Sequence, residues 1–459
     1  MINNFFSERK LLAPSFILLQ RTVNFLYSYF MIQILSRFDF AIYSTYIYVC
    51  NFSLQLFKYG FDIRFQKILF NLNARKSYDK IKSIHSKYSS GVLILSFFAA
   101  CGAIAVHSVF FDRAFPIDLL NCFGIFFTLF GLFGLGLITT NCYAVSNFKI
   151  LLATLIFQLL CFLSALMYIN YFDAHNAFFI YSISVFLPVF YILKWYFGLR
   201  IFDFRVVASF TRLNFKFRSE YIIYINNTAI NFFQISLVSV VANDSPLWIS
   251  DYRVLQSIHA MLSLLPVAIA GYIFNSFVAG VVRKLSHSDF VLVHCYLIIV
   301  GLSLMFKQFF IDLFPRYGHI IDEMLLFYLL LNSMTIISTS FIFSAHSSIK
   351  IRNYACLIFV SFFVSVLILY SIPPHSLHEF VYYDVAVQFL FYWCLVFSSP
   401  TRVLNWMNAF NYFYIICLFF LMYFFSIDNF GFGTILAFGS LGYLFSLRQL
   451  QMFQLKRVL

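Results

Sequence analysis

Apolar residues along this chain come in blocks of roughly twenty, the length a helix rising 1.5 Å per residue needs to cross a bilayer core. Short polar breaks separate the blocks. The pattern predicts fourteen spans, at 11–36, 40–62, 89–110, 119–145, 150–171, 175–197, 221–243, 247–281, 290–311, 322–347, 353–373, 378–399, 408–426 and 430–447. Some are long enough to need tilt. The eighth contains Pro266, Gly271 and Gly280, which predict a kink. The expected fold is all-α, a polytopic membrane protein of about fourteen transmembrane helices.

Composition supports this. Of 459 residues, 62% are hydrophobic and only 11% charged, against about a quarter charged in a soluble domain. The charge is also one-sided. With the N-terminus placed in the cytoplasm, twenty-four Lys and Arg fall in or beside cytoplasmic loops, from Arg9 and Lys10 to Lys456 and Arg457. Only Arg37, Arg113 and Arg316 fall in the opposite loops. The positive-inside rule then puts both termini in the cytoplasm and favours an even number of spans. The formal charge of +13 reads as a basic face toward anionic headgroups, with no role for nucleic acid. No loop on the opposite side exceeds about ten residues, too few for a folded domain. Met1 to Lys10 is polar, and the first apolar block is too long for a signal-peptide core, so no cleaved leader is expected. The nine cysteines lie within apolar blocks without a CxxC pair and read as small buried hydrophobes.

A shift of 206 residues lays span one on span seven and span two on span eight. Ser44 then meets Ser250, Tyr46 meets Tyr252, Leu56 meets Leu262 and Arg21 meets Asn227. Faint repeats of this kind organise many transporters, with the substrate site between the halves.

Polar residues inside spans are costly, so a shared face points to a cavity or another helix. In span two Ser44, Asn51, Gln55, Lys58 and Asp62 fall on one narrow arc. Such a strip lines either a wet path or a polar packing seam with an internal Lys58–Asp62 pair. Span one carries Gln20, Arg21, Asn24, Tyr27 and Ser28 on an arc of about 120° at 100° per residue. Arg21 lies well inside its block, either facing a cavity or snorkelling. Span seven aligns Asn227, Asn231 and Gln234, and span ten aligns Asn332, Thr335, Thr339 and His346. Asp251 and Arg253 open span eight, with Arg253 either in the cavity or at the interface. His259 is a packed core histidine or an ion site, and Asp384, one turn before Gln388, a proton site or an interfacial carboxylate. Lys307, at the end of span nine, reads as a snorkelling side chain. No P-loop, HExxH, GxSxG or GxGxxG occurs, which argues against an ATP-driven pump or a hydrolase.

The first seventy residues carry further marks. Leu19-Gln20-Arg21 sits inside span one, and Phe40 to Tyr46 reads FAIYSTY after a short turn. Tyr59-Gly60-Phe61-Asp62 leads to a basic segment from Arg64, and Ile249-Ser250-Asp251-Tyr252-Arg253 echoes the pattern in the second half. This resembles the polysaccharide-biosynthesis flippases of the multidrug/oligosaccharidyl-lipid/polysaccharide (MOP) exporter superfamily. Phe38-Asp39-Phe40 stands where that family often has a glycine in the first turn. The resemblance implies two pseudo-symmetric six-helix lobes, 1–197 and 221–399, joined by a cytoplasmic linker at 198–220, with the last two spans and a cytoplasmic tail in 400–459. It implies a protein of the bacterial inner membrane, not an enzyme. The implied partner is an oligosaccharide on undecaprenyl pyrophosphate, of O-antigen or capsule type, moved to the periplasmic leaflet by alternating access. Other polysaccharide assembly proteins are further partners it allows. Arg21, Asn24, Asn51, Gln55, Lys58, Asn227, Asn231 and Arg253 are the expected cavity residues. No cofactor or metal is expected. Coupling to a proton or sodium gradient is open, with Asp62, Asp384 and His259 as candidates. A cation-coupled drug exporter of the same superfamily is the first alternative, though basic residues in spans one and two disfavour cationic substrates. A polymerase-type membrane enzyme is the second, disfavoured by the short outer loops.

Overall fold

The computed structural model describes residues 8–58, 65, 68–69, 71–73, 78–145, 148–168, 173–199, 221–264, 288–329, 332, 351–398, 431 and 433–441. Among these the chain is helical throughout, without strands. The helices are α1 (Glu8–Ile34), α2 (Arg37–Lys58), α3 (Tyr78–Phe110), α4 (Leu119–Val145), α5 (Lys149–Tyr168), α6 (Ala174–Trp195), α7 (Tyr221–Ala242) and α8 (Pro246–Leu262). They continue with α9 (Ser288–Met305), α10 (Lys307–Leu313), α11 (318–329), α12 (Ile351–Ser371), α13 (Leu377–Ser398) and α14 (433–441). A 3-10 turn, Pro315–Tyr317, links α10 to α11.

The turns between antiparallel helices are short because the chain caps them itself. Ser36 Oγ accepts from the Asp39 amide at 3.1 Å and donates to Asp39 Oδ2 at 2.5 Å, starting α2. Asp118 Oδ1 accepts from the Asn121 amide before α4, and Asp173 Oδ1 from the Asn176 amide before α6, each at 2.7 Å. At the start of α13 Ser376 Oγ accepts from the Glu379 amide at 3.2 Å, and Glu379 Oε2 accepts from the His375 amide at 2.6 Å. The first amides of a helix have no partner within it, so a side-chain acceptor stabilises each helix start.

Two elements depart from the sequence reading. The third span is the upper part of a 33-residue helix that begins at Tyr78, because its polar first turns are good helix formers outside the apolar block. The ninth span is not straight. It breaks at Phe306 and turns through 71° into α10. Lys307 opens the new helix and pairs with Asp322 of α11, so it is held by a carboxylate as well as lying at a span end. The kink expected at Pro266 lies outside the described residues, as do Thr335, Thr339, His346 and the thirteenth span.

The two halves repeat each other's packing. α5 packs on α6 as α12 does on α13, α1 on α5 as α7 on α12, and α2 on α6 as α8 on α13. α5 and α12 are also the least buried of the long apolar helices. They turn rows such as Ile156, Phe157 and Leu160, and Phe359, Val360 and Phe363, outward to lipid. Within the first half α4 lies tight on α6. A Cβ on Gly131 would stand 2.5 Å from Val185 Cγ1, so the close approach requires glycine. Glycine serves again at α9 and α14, where a Cβ on Gly301 would lie 2.6 Å from the Gly433 carbonyl oxygen.

The halves meet mainly through α1 and α2 from one side and α7 and α8 from the other. These are also the helices with polar stripes, and α1, α2 and α8 fall outside the set apolar enough to cross a membrane by a strict test of length and hydropathy. Their inner faces meet each other and not lipid, so they tolerate polarity.

Candidate functional site between the two halves

The seam between the halves is closed at one end. At the end where α1 turns into α2, Arg37 Nη2 donates to both oxygens of Asp251 on α8, at 2.6 and 2.7 Å. The Arg37 guanidinium also stands 5.7 Å from the Tyr317 ring centroid. Arg316 Nη1 donates to the Leu35 carbonyl at 2.9 Å, and Gln33 Nε2 to the Leu313 carbonyl at 2.6 Å. Four contacts thus tie the α1–α2 corner to α8 and to the α10–α11 turn. Opposite charge makes the ion pair the strongest of these. The sequence reading left Arg37 in a loop and Asp251 without a partner. The available signal was scarcity: Arg37 is one of three basic residues on its side.

One layer deeper, Arg253 crosses the seam. Its guanidinium lies 5.3 Å from the Tyr48 ring centroid, and its Nη1 donates to Gln256 Oε1 at 3.0 Å. The Tyr48 hydroxyl donates to the same oxygen at 2.7 Å. Arg253 is half-buried against an aromatic partner of the other half, away from any helix terminus.

Toward the other end the seam loosens. In α2 every residue from Tyr43 to Cys50 is buried, whereas Asn51, Gln55 and Lys58 are half-buried. Ser44, at the closed end of the same strip, is fully buried and its hydroxyl finds no partner. In α1 Arg21 and Asn24 are exposed. Arg21 is nonetheless densely surrounded by protein atoms, and its charge reaches His259 of α8. Asn227 and Asn231 of α7 are half-buried, with Asn231 Nδ2 donating to the Asn227 carbonyl at 2.7 Å. The Tyr224 hydroxyl donates to the Leu56 carbonyl at 2.5 Å, holding α7 to α2. Asp62 lies outside the described residues.

His259 does not face the seam alone. The Tyr296 hydroxyl lies 2.6 Å from its Nδ1, and its ring meets Tyr296 and Tyr328 edge-on. Asp384 lies deeper in the second half. It is buried within the protein. It accepts from the Tyr252 hydroxyl, from Gln388 Nε2 at 2.9 Å and from Gln234 Nε2 at 3.3 Å. All three donors are neutral. The structure brings Gln234 of α7 to Asp384, a link from the span-seven stripe that the helical-wheel argument alone does not supply.

No protein-family model matches the sequence, and no curated protein matches it. Solved structures do match its fold. A MOP superfamily transporter from Pyrococcus furiosus superposes with a TM-score of 0.55 at 12% identity, over 89% of this chain and 96% of its own. The chain has the fold of the MOP superfamily transporters. The lipid II flippase MurJ, in an inward closed conformation, gives 0.55 at 14% identity over 94% and 100% of the two chains. The eukaryotic MATE transporter AtDTX14 gives 0.53 at 12% identity over 89% and 98%. These neighbours of the MOP fold are transporters and flippases and not enzymes.

Proposed function

We propose that the chain is a flippase that moves an oligosaccharide carried on undecaprenyl pyrophosphate, of O-antigen or capsule type, across the bacterial inner membrane. The observation that carries this reading is the arrangement of Arg21 and Lys58. Two cationic side chains lie on α1 and α2, the helices through which the first half meets α7 and α8, and the corner between α1 and α2 is latched to α8. The one-sided distribution of Lys and Arg makes the loosened end cytoplasmic and the latched end periplasmic. That is the state a flippase adopts to load from the inner leaflet.

The chemistry is coherent. Sugars and pyrophosphate cannot cross hydrocarbon unaided because losing their water is costly. Asn24, Asn51, Gln55, Asn227 and Asn231 offer amide donors and acceptors in place of that water. Arg21, Lys58 and Arg253 offer positive charge to the phosphates. The prenyl chain stays in lipid. Rocking of the two halves about α1, α2, α7 and α8 then exchanges the open and latched ends. A proton or sodium gradient would bias the exchange, with Asp384 the best placed of the candidates because no cation neutralises it among the described residues.

The match to MurJ, a lipid II flippase, supports a lipid-linked substrate. The MATE neighbours favour the second reading, a drug exporter. Arg21→Ala and Lys58→Ala should each abolish surface glycan while the protein still inserts. Normal glycan in both variants, or drug sensitivity without a glycan defect, would overturn the flippase in favour of the exporter.

A further inference from the structure

A second titratable cluster lies inside the first half, away from the seam. His107, in the last turn of α3, is fully buried, and neither ring nitrogen has a hydrogen-bond partner. The ring of Tyr46 from α2 stacks on it at 5.1 Å with an interplanar angle of 14°. The Tyr46 hydroxyl lies 3.4 Å from Nδ1 of His175, in the first turn of α6. Asn121 Nδ2, from α4, meets the same Nδ1 and also donates to Asp118 Oδ1 at 2.6 Å. Asn121 Oδ1 is buried and unpartnered. Four helices therefore converge on two imidazoles at the latched end, and the proposed transport path uses neither.

We propose that His107 and His175, with Tyr46, Asn121 and Asp118, form a proton-binding site in the first half whose occupation favours release of the Arg37–Asp251 latch. The Tyr46 ring lies against both imidazoles, so charge on one opposes charge on the other and the site binds one proton. Asp112 and Asp118 are acidic groups facing this cluster. Asp173 is committed to capping α6, and Cys122 of α4 completes the facing titratable groups. The latched arrangement suits neutral rings. A protonated His175 would have to donate from Nδ1, where Asn121 now presents an amide N–H. Asn121 can offer its free oxygen only by turning over and giving up Asp118. A protonated His107 would hold two N–H groups with no acceptor, at a cost the latched state does not offset. A proton therefore favours an arrangement with α2 displaced from α3 and α6. α2 begins at Arg37, so its displacement and the latch are one movement. This inference does not depend on what is transported.

The test is spin-label distance measurement in lipid nanodiscs, with Phe38→Cys and Leu247→Cys in a background lacking the native cysteines. Both positions are exposed and lie on opposite sides of the latch. Lowering the pH from 8 to 5, a range in which histidines titrate and ordinary carboxylates stay charged, should enlarge the long-distance population several-fold. His107→Gln with His175→Gln should abolish the response, and His378→Gln, at an exposed histidine of the second half, should preserve it. Asn121→Asp, which puts a carboxylate against His175, should raise the midpoint by about one pH unit, tenfold in proton affinity. This variant serves if the double histidine variant fails to fold. A pH-independent distance in the unsubstituted cluster would overturn the inference. So would a double histidine variant that titrates unchanged, an Asn121→Asp midpoint that does not move, or loss of the response in His378→Gln alone.

Discussion

Removing Arg37 should open the latched end by a predictable amount. The Asp251 side chain is 3% exposed and that of Arg37 31%. Deleting one member of a fully buried pair costs about 3–5 kcal/mol, because the other charge is left without a partner. The partial exposure of the guanidinium admits screening and discounts this to about 1–3 kcal/mol. The cost falls on the latched state alone, since the unlatched state has already separated the pair. At about 1.4 kcal/mol per factor of ten, Arg37→Ala should raise the ratio of unlatched to latched protein roughly fivefold to just over a hundredfold. Ser44→Cys reports it. Ser44 is fully buried beneath the latch and its hydroxyl makes no hydrogen bond, so the exchange is mild. In a background without other cysteines, a membrane-impermeant maleimide is added from the latched side. Where opening and reclosing outpace labelling, the labelling rate tracks the open population and should rise by the same factor. The charge swap, Arg37→Asp with Asp251→Arg, should bring it most of the way back. Equal rates with and without Arg37, or a swap that labels as fast as Arg37→Ala, would refute the latch.

Other perturbations are expected to read as follows. Gln55→Cys should react with the same reagent added from the opposite side, and protection there in every state would make the α2 strip a packed seam. Gly131→Leu should lower the thermal midpoint in detergent by forcing α4 from α6, at about 1–3 kcal/mol or more for overpacking. A midpoint like that of the parent protein would mean that α4 and α6 do not approach as described. Tyr252→Phe removes a donor from the Asp384 carboxylate and should cost about 1.5–3 kcal/mol, as for a hydrogen bond to a charged group. Chemical denaturation in mixed micelles measures it, and restored stability in Tyr252→Phe with Asp384→Asn would show the coupling.

Span positions and the repeat were legible because hydrophobic blocks and a constant spacing are one-dimensional. The stripes on α1, α2 and α7 were legible for the same reason: one helix's own periodicity defines a face. Pairings between helices were not. Nothing local in the sequence joins Arg37 to Asp251, 214 residues away, or Tyr252 to Asp384, 132 away. The bend at Phe306 was hidden for another reason. The block 290–311 contains no proline, and its residues suit a straight helix as well as a broken one. His107 and His175 went unremarked because each is a lone histidine near a helix end. Only the convergence of four helices makes them a cluster.

The repeat also shows where the halves have diverged. Under the 206-residue shift Tyr46 matches Tyr252, both deeply buried and both the hub of their own half. Around these hubs the partners differ. Phe178, stacked on Tyr46 at 4.8 Å, corresponds to Asp384, which accepts from the Tyr252 hydroxyl. Arg21 corresponds to Asn227, Lys58 to Leu264 and Arg37 to Asn243. At these three positions the cations belong to the first half alone, whereas Arg253 of α8 corresponds to Ile47. Among the described residues the buried carboxylate without a cation, Asp384, belongs to the second. The latch joins one residue from each half, so parting the halves exposes a cation and an anion together and leaves the net charge at that end unchanged. Rocking of the kind proposed above would instead change how far Arg21 and Lys58 of the first half stand from Asp251 of the second, and so alter the field along the seam without any side chain moving within its own half.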